Sequence, residues 1–237
     1  MKPLRFVPSS FALLLALPAH ANLTVHPMRA SVDAKTGAQM RVYSQSTQAQ
    51  YVQIALRRIE DPAGPAEREV DIDLGEADIA VTPGKFALAG GGSRLIRLVP
   101  LRPVPVETAY RVYFEGVRAP DDMPPDPDGE GARATVGVSL VWGALVNVLP
   151  DEGQVDVRIE GDRIRNNGTL RLGITSIADC LDTRCTAHDV SRSLYPGGVL
   201  ALPFPVLPDH TLQMRYRLTR DGYREHVQTL GPESLGP

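Results

Sequence analysis

Residues 134–149 read Ala-Thr-Val-Gly-Val-Ser-Leu-Val-Trp-Gly-Ala-Leu-Val-Asn-Val-Leu. Val136, Val138, Leu140 and Trp142 fall on alternate positions. Successive side chains of a strand point to opposite faces, so one face carries four bulky apolar side chains. The other face, near the start of the stretch, carries only Thr135, Gly137 and Ser139. No other segment of the chain signals a strand so strongly.

Directly before this strand, residues 118–132 hold four prolines and five carboxylates: Asp121, Asp122, Asp126, Asp128 and Glu130. Such a segment cannot bury enough apolar surface to order itself. An apolar strand behind it is an aggregation hazard if it lies at a sheet edge. A protein that keeps such an edge can add it to an incomplete partner, with backbone hydrogen bonds giving affinity and alternate side chains filling the partner's core. The same four side chains would equally serve as this protein's own core, and alternation does not separate the two uses.

Outward from this strand, helical periodicity is almost absent. Short apolar–polar alternations recur between Gly, Pro, Asn and Asp, the pattern of a β-sandwich. The 21 prolines and 21 glycines supply turns and interrupt edge strands. Residues 23–32 read as a first strand, at an edge because Pro27 interrupts it. Residues 39–44 and 51–59 read as a hairpin pair, with Val52, Ile54 and Leu56 on one face of the second strand. Further strands are expected over 70–74, 79–82, 93–100 and 110–117. Pro150-Asp151-Glu152-Gly153 is the best domain boundary, dividing residues 22–150 from 151–237. Beyond it, alternation restarts at Val155, Val157 and Ile159. Asn167-Gly168 is a favoured turn pair. Strands are expected again around 170–174, 212–218 and 226–230.

The chain begins as a secretory signal does. Lys2 and Arg5 precede a seven-residue apolar core, Phe-Ala-Leu-Leu-Leu-Ala-Leu. Pro18 breaks it, and Ala19-His20-Ala21 places small residues where a signal peptidase reads. The core is far short of the ~20 residues a membrane-spanning helix needs. Residues 1–21 are therefore expected to be a cleaved signal peptide, and no later segment is apolar enough to span a membrane. Lys and Arg number 25 against 28 Asp and Glu, a net charge of −3. With no basic tract, nucleic acid is excluded as a partner. Cys180 and Cys185 are the two cysteines, and outside the cytoplasm a disulfide is the default, two free thiols being the alternative. A zinc site would need two more ligands, and only His188 is close.

Enzyme signatures are missing. There is no Gly-x-Ser-x-Gly elbow, His-Glu-x-x-His pair or phosphate loop. His26, His188, His210 and His226 are scattered in polar contexts. Gly90-Gly91-Gly92 reads as a turn, since no helix follows to supply amide donors. No catalytic residue, cofactor or metal is expected.

Several segments resemble the periplasmic chaperones of chaperone–usher pili. Met28-Arg29-Ala30-Ser31-Val32-Asp33 resembles that family's first strand. Residues 79–88, Ile-Ala-Val-Thr-Pro-Gly-Lys-Phe-Ala-Leu, resemble its strand, Pro, Phe-x-Leu segment. Residues 91–98 resemble its next strand, and Thr-Ala-Tyr-Arg-Val-Tyr-Phe at 108–114 is similar to its Tyr-Arg-hydrophobic strand. In the second half, Asn-Gly-Thr-Leu-Arg-Leu followed by Cys-x-x-x-x-Cys is similar to the divergent branch with the common-pilus and alpha-fimbrial chaperones.

The resemblance implies two immunoglobulin-like domains at an angle, an all-β chain located in the periplasm. It implies that Val136, Val138 and Leu140 enter a groove in an incomplete pilin, with Trp142 as a fourth. It implies that Arg29 anchors the pilin's terminal carboxylate, and that an outer-membrane usher takes the pilin over. The family's donor-strand lysine is missing here, where Val141-Trp142-Gly143-Ala144 stands. Arg111 or Arg97 is then the candidate second base. An exposed apolar strand also makes self-association of the free protein an expectation. A structural or adhesive pilus component is the alternative function.

Overall fold

The computed structural model describes residues 23–73, 75–117 and 140–231. The expected signal peptide, the acidic segment and the candidate residues Val136 and Val138 lie outside the described residues.

The first half contains ten strands: β1 (Leu23–His26), β2 (Arg29–Val32), β3 (Ala38–Ser44), β4 (Gln50–Glu60), β5 (Arg68–Asp71), β6 (Ile79–Thr82), β7 (Lys85–Leu88), β8 (Ser93–Pro100), β9 (Thr108–Val117) and β10 (Val141–Val148). They form two sheets. Sheet 1 has the order β1-β3-β8-β6, and sheet 2 the order β2-β10-β9-β4-β5, with β7 also pairing β4. The inward faces meet in one core that includes Val25, Met40, Val42, Val52, Ile96, Leu98, Tyr110, Val112, Phe114, Val146 and Val148. These residues alternate along their strands with exposed ones, as in β3, where Met40, Val42 and Ser44 are buried between Gln39, Arg41 and Tyr43.

The second half contains β11 (Val157–Glu160), β12 (Arg163–Asn166), β13 (Leu172–Leu181), β14 (Arg184–Leu194), β15 (Val199–Ala201), β16 (Thr211–Leu218) and β17 (Glu225–Leu230). Sheet 3 runs β11-β12-β15 and sheet 4 runs β14-β13-β16-β17. A separate core gathers Val157, Ile159, Ile164, Leu172, Ile174, Ile177, Leu212 and Met214. The break between the two sets of sheets falls between Val148 and Val157. The chain is thus two immunoglobulin-like sandwiches. The turn at Asn167-Gly168 is held by Asn166, whose fully buried side chain accepts from the Gly168 N–H at 3.0 Å and donates to the Leu170 and Leu194 carbonyls.

Two sequence expectations are corrected. Residues 23–32 are not one strand. Pro27 and Met28 break the run, and the chain crosses from the edge of sheet 1 to the edge of sheet 2. Proline cannot donate to a ladder, so this is where a switch of sheets costs little. Residues 39–44 and 51–59 are not a hairpin: β3 pairs β1 and β8, whereas β4 pairs β5, β7 and β9 in the opposite sheet. A period of two reports which face is buried and carries no information about the neighbouring strand.

Candidate functional site

β10 is flanked on one side by β9 along its whole length, from Val141 opposite Glu115 to Val148 opposite Thr108. On the other side β2 pairs with it only from Leu145 to Val148. The Leu145 N–H donates to the Met28 carbonyl at 3.0 Å, so odd-numbered residues of β10 direct their backbone groups toward the β2 lane. Val141 and Gly143 therefore present N–H and C=O groups to a lane that no strand occupies among the described residues. Leu140 and Val141, at the start of this open edge, are 50% and 49% exposed.

The side chains of β10 divide between two environments. Ala144, Val146 and Val148 are buried in the first core, and Trp142 packs partly against it. Leu140 shares their face but lies past the end of the sandwich. Thus the apolar face expected from the sequence serves this protein's own core at its C-terminal end and emerges from it at Leu140. Of the candidate groove residues, the structure places Leu140 in the open and Trp142 half-covered.

On the opposite face of sheet 2, cross-strand register aligns Arg29, Leu145, Arg111, Arg57 and Asp71 in one row. Directly opposed residues share a face, so three guanidinium groups lie along it. Arg57 pairs with Asp71 at 2.9 Å and Arg111 with Glu69 at 3.3 Å. The Tyr113 hydroxyl also donates to Glu69, at 2.6 Å. Arg29, at the exposed end of the row, is where β2 stops and the open lane begins. Gly143 faces two side chains of β9. A Cβ there would lie 3.0 Å from Tyr113 Cε1 and 3.2 Å from Arg111 Cδ. The space belongs to the Arg111 and Tyr113 side chains. Arg97 lies elsewhere, on sheet 1 between Gln39 and Thr82.

The second domain meets sheet 2 next to this row. Tyr195 packs on Ile59, Ala109 and Leu145, and its hydroxyl accepts from Asn147 Nδ2 at 2.9 Å. Glu107, only 3% exposed, accepts from the Arg171 backbone N–H at 2.9 Å and from the Thr219 hydroxyl at 2.8 Å. Its own N–H donates to the Thr169 carbonyl at 2.8 Å. Arg171 turns its guanidinium to Ser193, 5.9 Å from the Tyr195 ring centre. Burial pushes the Glu107 carboxyl above the ordinary carboxylate value, opposed by the bonds from Arg171 and Thr219. Burial also pushes the Tyr195 hydroxyl up, opposed by Asn147 and by the charges of Arg171 and Arg29. Arg29 is in register with Leu145, on which Tyr195 packs, and so lies close to the joint between the domains. Nothing local in the sequence marks Glu107, Asn147 and Tyr195 as partners, since their spacing along the chain is long. A polar Asn147 inside an apolar run was the one available signal.

Away from this site, Cys180 and Cys185 form a disulfide across the β13–β14 hairpin. His210 pairs with Asp179, His226 with Asp221, and the His188 ring packs at a tilt against Phe204. Among the described residues, no helix is long and apolar enough to cross a membrane.

No protein-family model matches the chain. A CFA/I fimbrial subunit of Escherichia coli is 32% identical over 195 residues, covering 78% of this chain and 81% of that protein. The crystal structure of the class 5 fimbriae chaperone CfaA superposes with a TM-score of 0.74 at 26% identity, covering 89% of this chain and 100% of that one. A chain from the chaperone–tip adhesin complex of CFA/I fimbriae biogenesis superposes with a TM-score of 0.72, also at 26% identity, over 89% and 99%. Two sandwiches joined at Glu107, a β10 edge left half open, and relatives matched over most of their length lead to one assignment: the chain belongs to the family of fimbrial chaperones of the chaperone–usher pathway.

Proposed function

We propose that this chaperone works in the periplasm, where it holds incomplete pilins on the open edge of β10 and passes them to an outer-membrane usher. The observation that carries this reading is the change along one lane of sheet 2. From Leu145 onward the lane is filled by β2, and from Val141 to Ala144 it is open. An incoming strand that pairs with β10 would continue the lane of β2 and end against Arg29. In sequence, Val136, Val138 and Leu140 alternate in step with Trp142, Ala144 and Val146, so apolar side chains of that kind suit the core of a partner lacking a strand. Trp142 would cover the seam between the two cores.

A strand whose C-terminus ends at Arg29 brings a carboxylate to a row of guanidinium groups. Arg111, one lane across Leu145, is the second base on this reading, in place of the missing lysine. Arginine suits the task because its planar fork binds a carboxylate bidentately. In the free protein, the same edge favours self-association. The reading is non-enzymatic, and hydrolase screening checks that part.

The test is co-expression with the cognate pilin. A soluble one-to-one complex in the periplasm is expected. Recovery of the protein in sheared surface fibres, with no such complex, would instead support a structural or adhesive role, in keeping with the word "subunit" in the name of its relative.

A further inference from the structure

β9 ends at Val117 and β10 begins at Val141, so no tight turn joins them. A short hairpin loop sets the register of its two strands. That is how β13 and β14 are joined, across Asp182-Thr183. For β10 the register must come from side chains. A slip of one residue would turn Ala144, Val146 and Val148 out of the core. A slip of two residues keeps every side chain on its own face. It would move β10 by roughly 7 Å along β9.

Two residues of β10 oppose that second slip, both on the face toward the second domain. Asn147 is the only amide side chain in the strand and is 3% exposed. It stands between Ser31 of β2 and Ala109 of β9. Its Nδ2 donates to the Tyr195 hydroxyl at 2.9 Å. Burial pushes the Glu107 carboxyl up, and this amide is among the groups that oppose it. A slip brings Leu145 or Leu149 to this place. Neither offers a hydrogen bond, so the buried Tyr195 hydroxyl and the Glu107 carboxylate would each lose a donor. Gly143 is the second mark. A Cβ in its place would lie 3.0 Å from Tyr113 Cε1 and 3.2 Å from Arg111 Cδ, and a slip puts Val141 or Leu145 there.

We propose that Asn147 is a positioning residue: its bond to Tyr195 fixes the register of β10 on β9, and so the distance from Arg29 to the apolar residues that the strand lends. The register stands on geometry alone, whereas its consequence for a pilin rests on the chaperone reading. Leu140 is exposed where the strand emerges, and Arg29 marks where a partner strand stops. A slip changes the separation of the two by roughly 7 Å. A pilin anchored at Arg29 would then meet the lent side chains two positions out of step.

Disulfide trapping in the full-length chain reads the register directly. Val141 stands opposite Glu115 in a pair whose backbone groups do not bond each other. Such a pair has its Cα atoms ~4.5 Å apart, within reach of a disulfide. Val141→Cys is combined in turn with Glu115→Cys, Val117→Cys and Tyr113→Cys, which mark the native register and a slip of two residues either way. In an otherwise wild-type chain, the 141–115 disulfide should close and the other two hardly at all. With Asn147→Leu, about half of that disulfide should pass to a slipped pair, and the complex with the cognate pilin should weaken at least about tenfold. If Asn147→Leu does not fold, Tyr195→Phe carries the test with the same expected result. It removes the acceptor and keeps the ring on Ile59, Ala109 and Leu145. Closure of 141–115 alone in the altered chain overturns the inference, because Asn147 would then join the domains without setting the register. Equal closure of all three pairs in the wild type overturns it too. Slipped pairs with wild-type pilin affinity would overturn the link from register to pilin. Absence of a pilin complex with the wild-type chain would fail the chaperone reading and leave the disulfide result standing.

Discussion

Arg29 stands in register with Leu145 at the point where the lane beside β10 changes from filled to open. A charge at the end of a strand lane acts as a stop. A partner strand that overshoots collides with β2, and one that falls short leaves its terminal carboxylate away from the guanidinium. Arg29→Ala should therefore weaken the pilin complex by on the order of a hundredfold, the loss typical when one partner of a buried charge pair is truncated. The free protein should melt within about 1 °C of the wild type, since Arg29 is exposed and holds no ion pair among the described residues. Arg111→Ala should weaken the complex too. It should also cost some stability, because Arg111 bonds Glu69. Pull-down titration and thermal melts separate the two effects.

The apolar face of the lending strand gives a second test. Val138→Asp with Leu140→Asp places two charges where a partner's core would close. Complex formation should be abolished, because an unpaired buried carboxylate costs far more than the strand's hydrogen bonds return. The variant itself should stay folded, since Leu140 is 50% exposed. An intact complex would remove β10 as the donor.

Gly143→Lys puts a lysine into the stretch 141–144, where the family resemblance leads one to expect one. The structure predicts harm. The new Cβ would lie 3.0 Å from Tyr113 and 3.2 Å from Arg111, so both side chains, which bond Glu69, must shift by a few tenths of an ångström. A loss of roughly 1–3 kcal/mol, as in other overpacked sites, and weaker pilin binding are expected. Denaturant melts and binding titration read both.

How much of this was legible beforehand follows from what a period of two encodes. The buried faces of β3, β4, β8 and β9 were readable because a single sheet faces a single core. β14 was not: its residues are exposed on both faces along most of its length, so no apolar alternation marks it. The pairing of β4 with β9 rather than β3 and the switch of sheets at Pro27 depend on contacts far apart in sequence. The same holds for the site. Leu140 and Trp142 were nameable from alternation and Arg29 from the family resemblance, but the row linking Arg29 to Arg111 exists only through the register of β2, β10 and β9. Register places Arg111, and not Arg97, in the row of Arg29. The joint is less legible still, because Glu107, Arg171 and Thr219 come from three separate stretches.

The Cys180–Cys185 pair closes a hairpin whose turn is Asp182-Thr183, with Asp182 in the left-handed region at φ 53°. Closing so short a loop should contribute about 2 kcal/mol. Cys180→Ser with Cys185→Ser should lower denaturant stability by that amount and leave pilin binding unchanged, since the hairpin tip is remote from β10. Native thiol labelling of both cysteines in the wild type would contradict the disulfide.

The joint predicts a specific pH dependence. Burial raises the Glu107 carboxyl pKa above its usual value of 4.5, so the folded chain binds a proton there more readily than the unfolded chain does. The contribution of this group to stability is therefore greatest below 4.5 and is lost as pH rises through the raised value. Glu107→Gln removes the titration but keeps one acceptor for the Arg171 N–H. Its amide donor then faces donors, which the Thr219 hydroxyl accommodates by rotating to accept. On lowering the pH from neutral toward 4.5, wild type should gain stability relative to this variant. Thr219→Val removes a donor that favours the ionised carboxylate, so its gain over the same range should be larger than that of wild type. Chemical denaturation of the three proteins at a series of pH values measures the difference directly. Parallel curves for wild type and Glu107→Gln would show that the Glu107 carboxylate carries no net penalty, and the hydrogen bonds from Arg171 and Thr219 would then fully offset its burial.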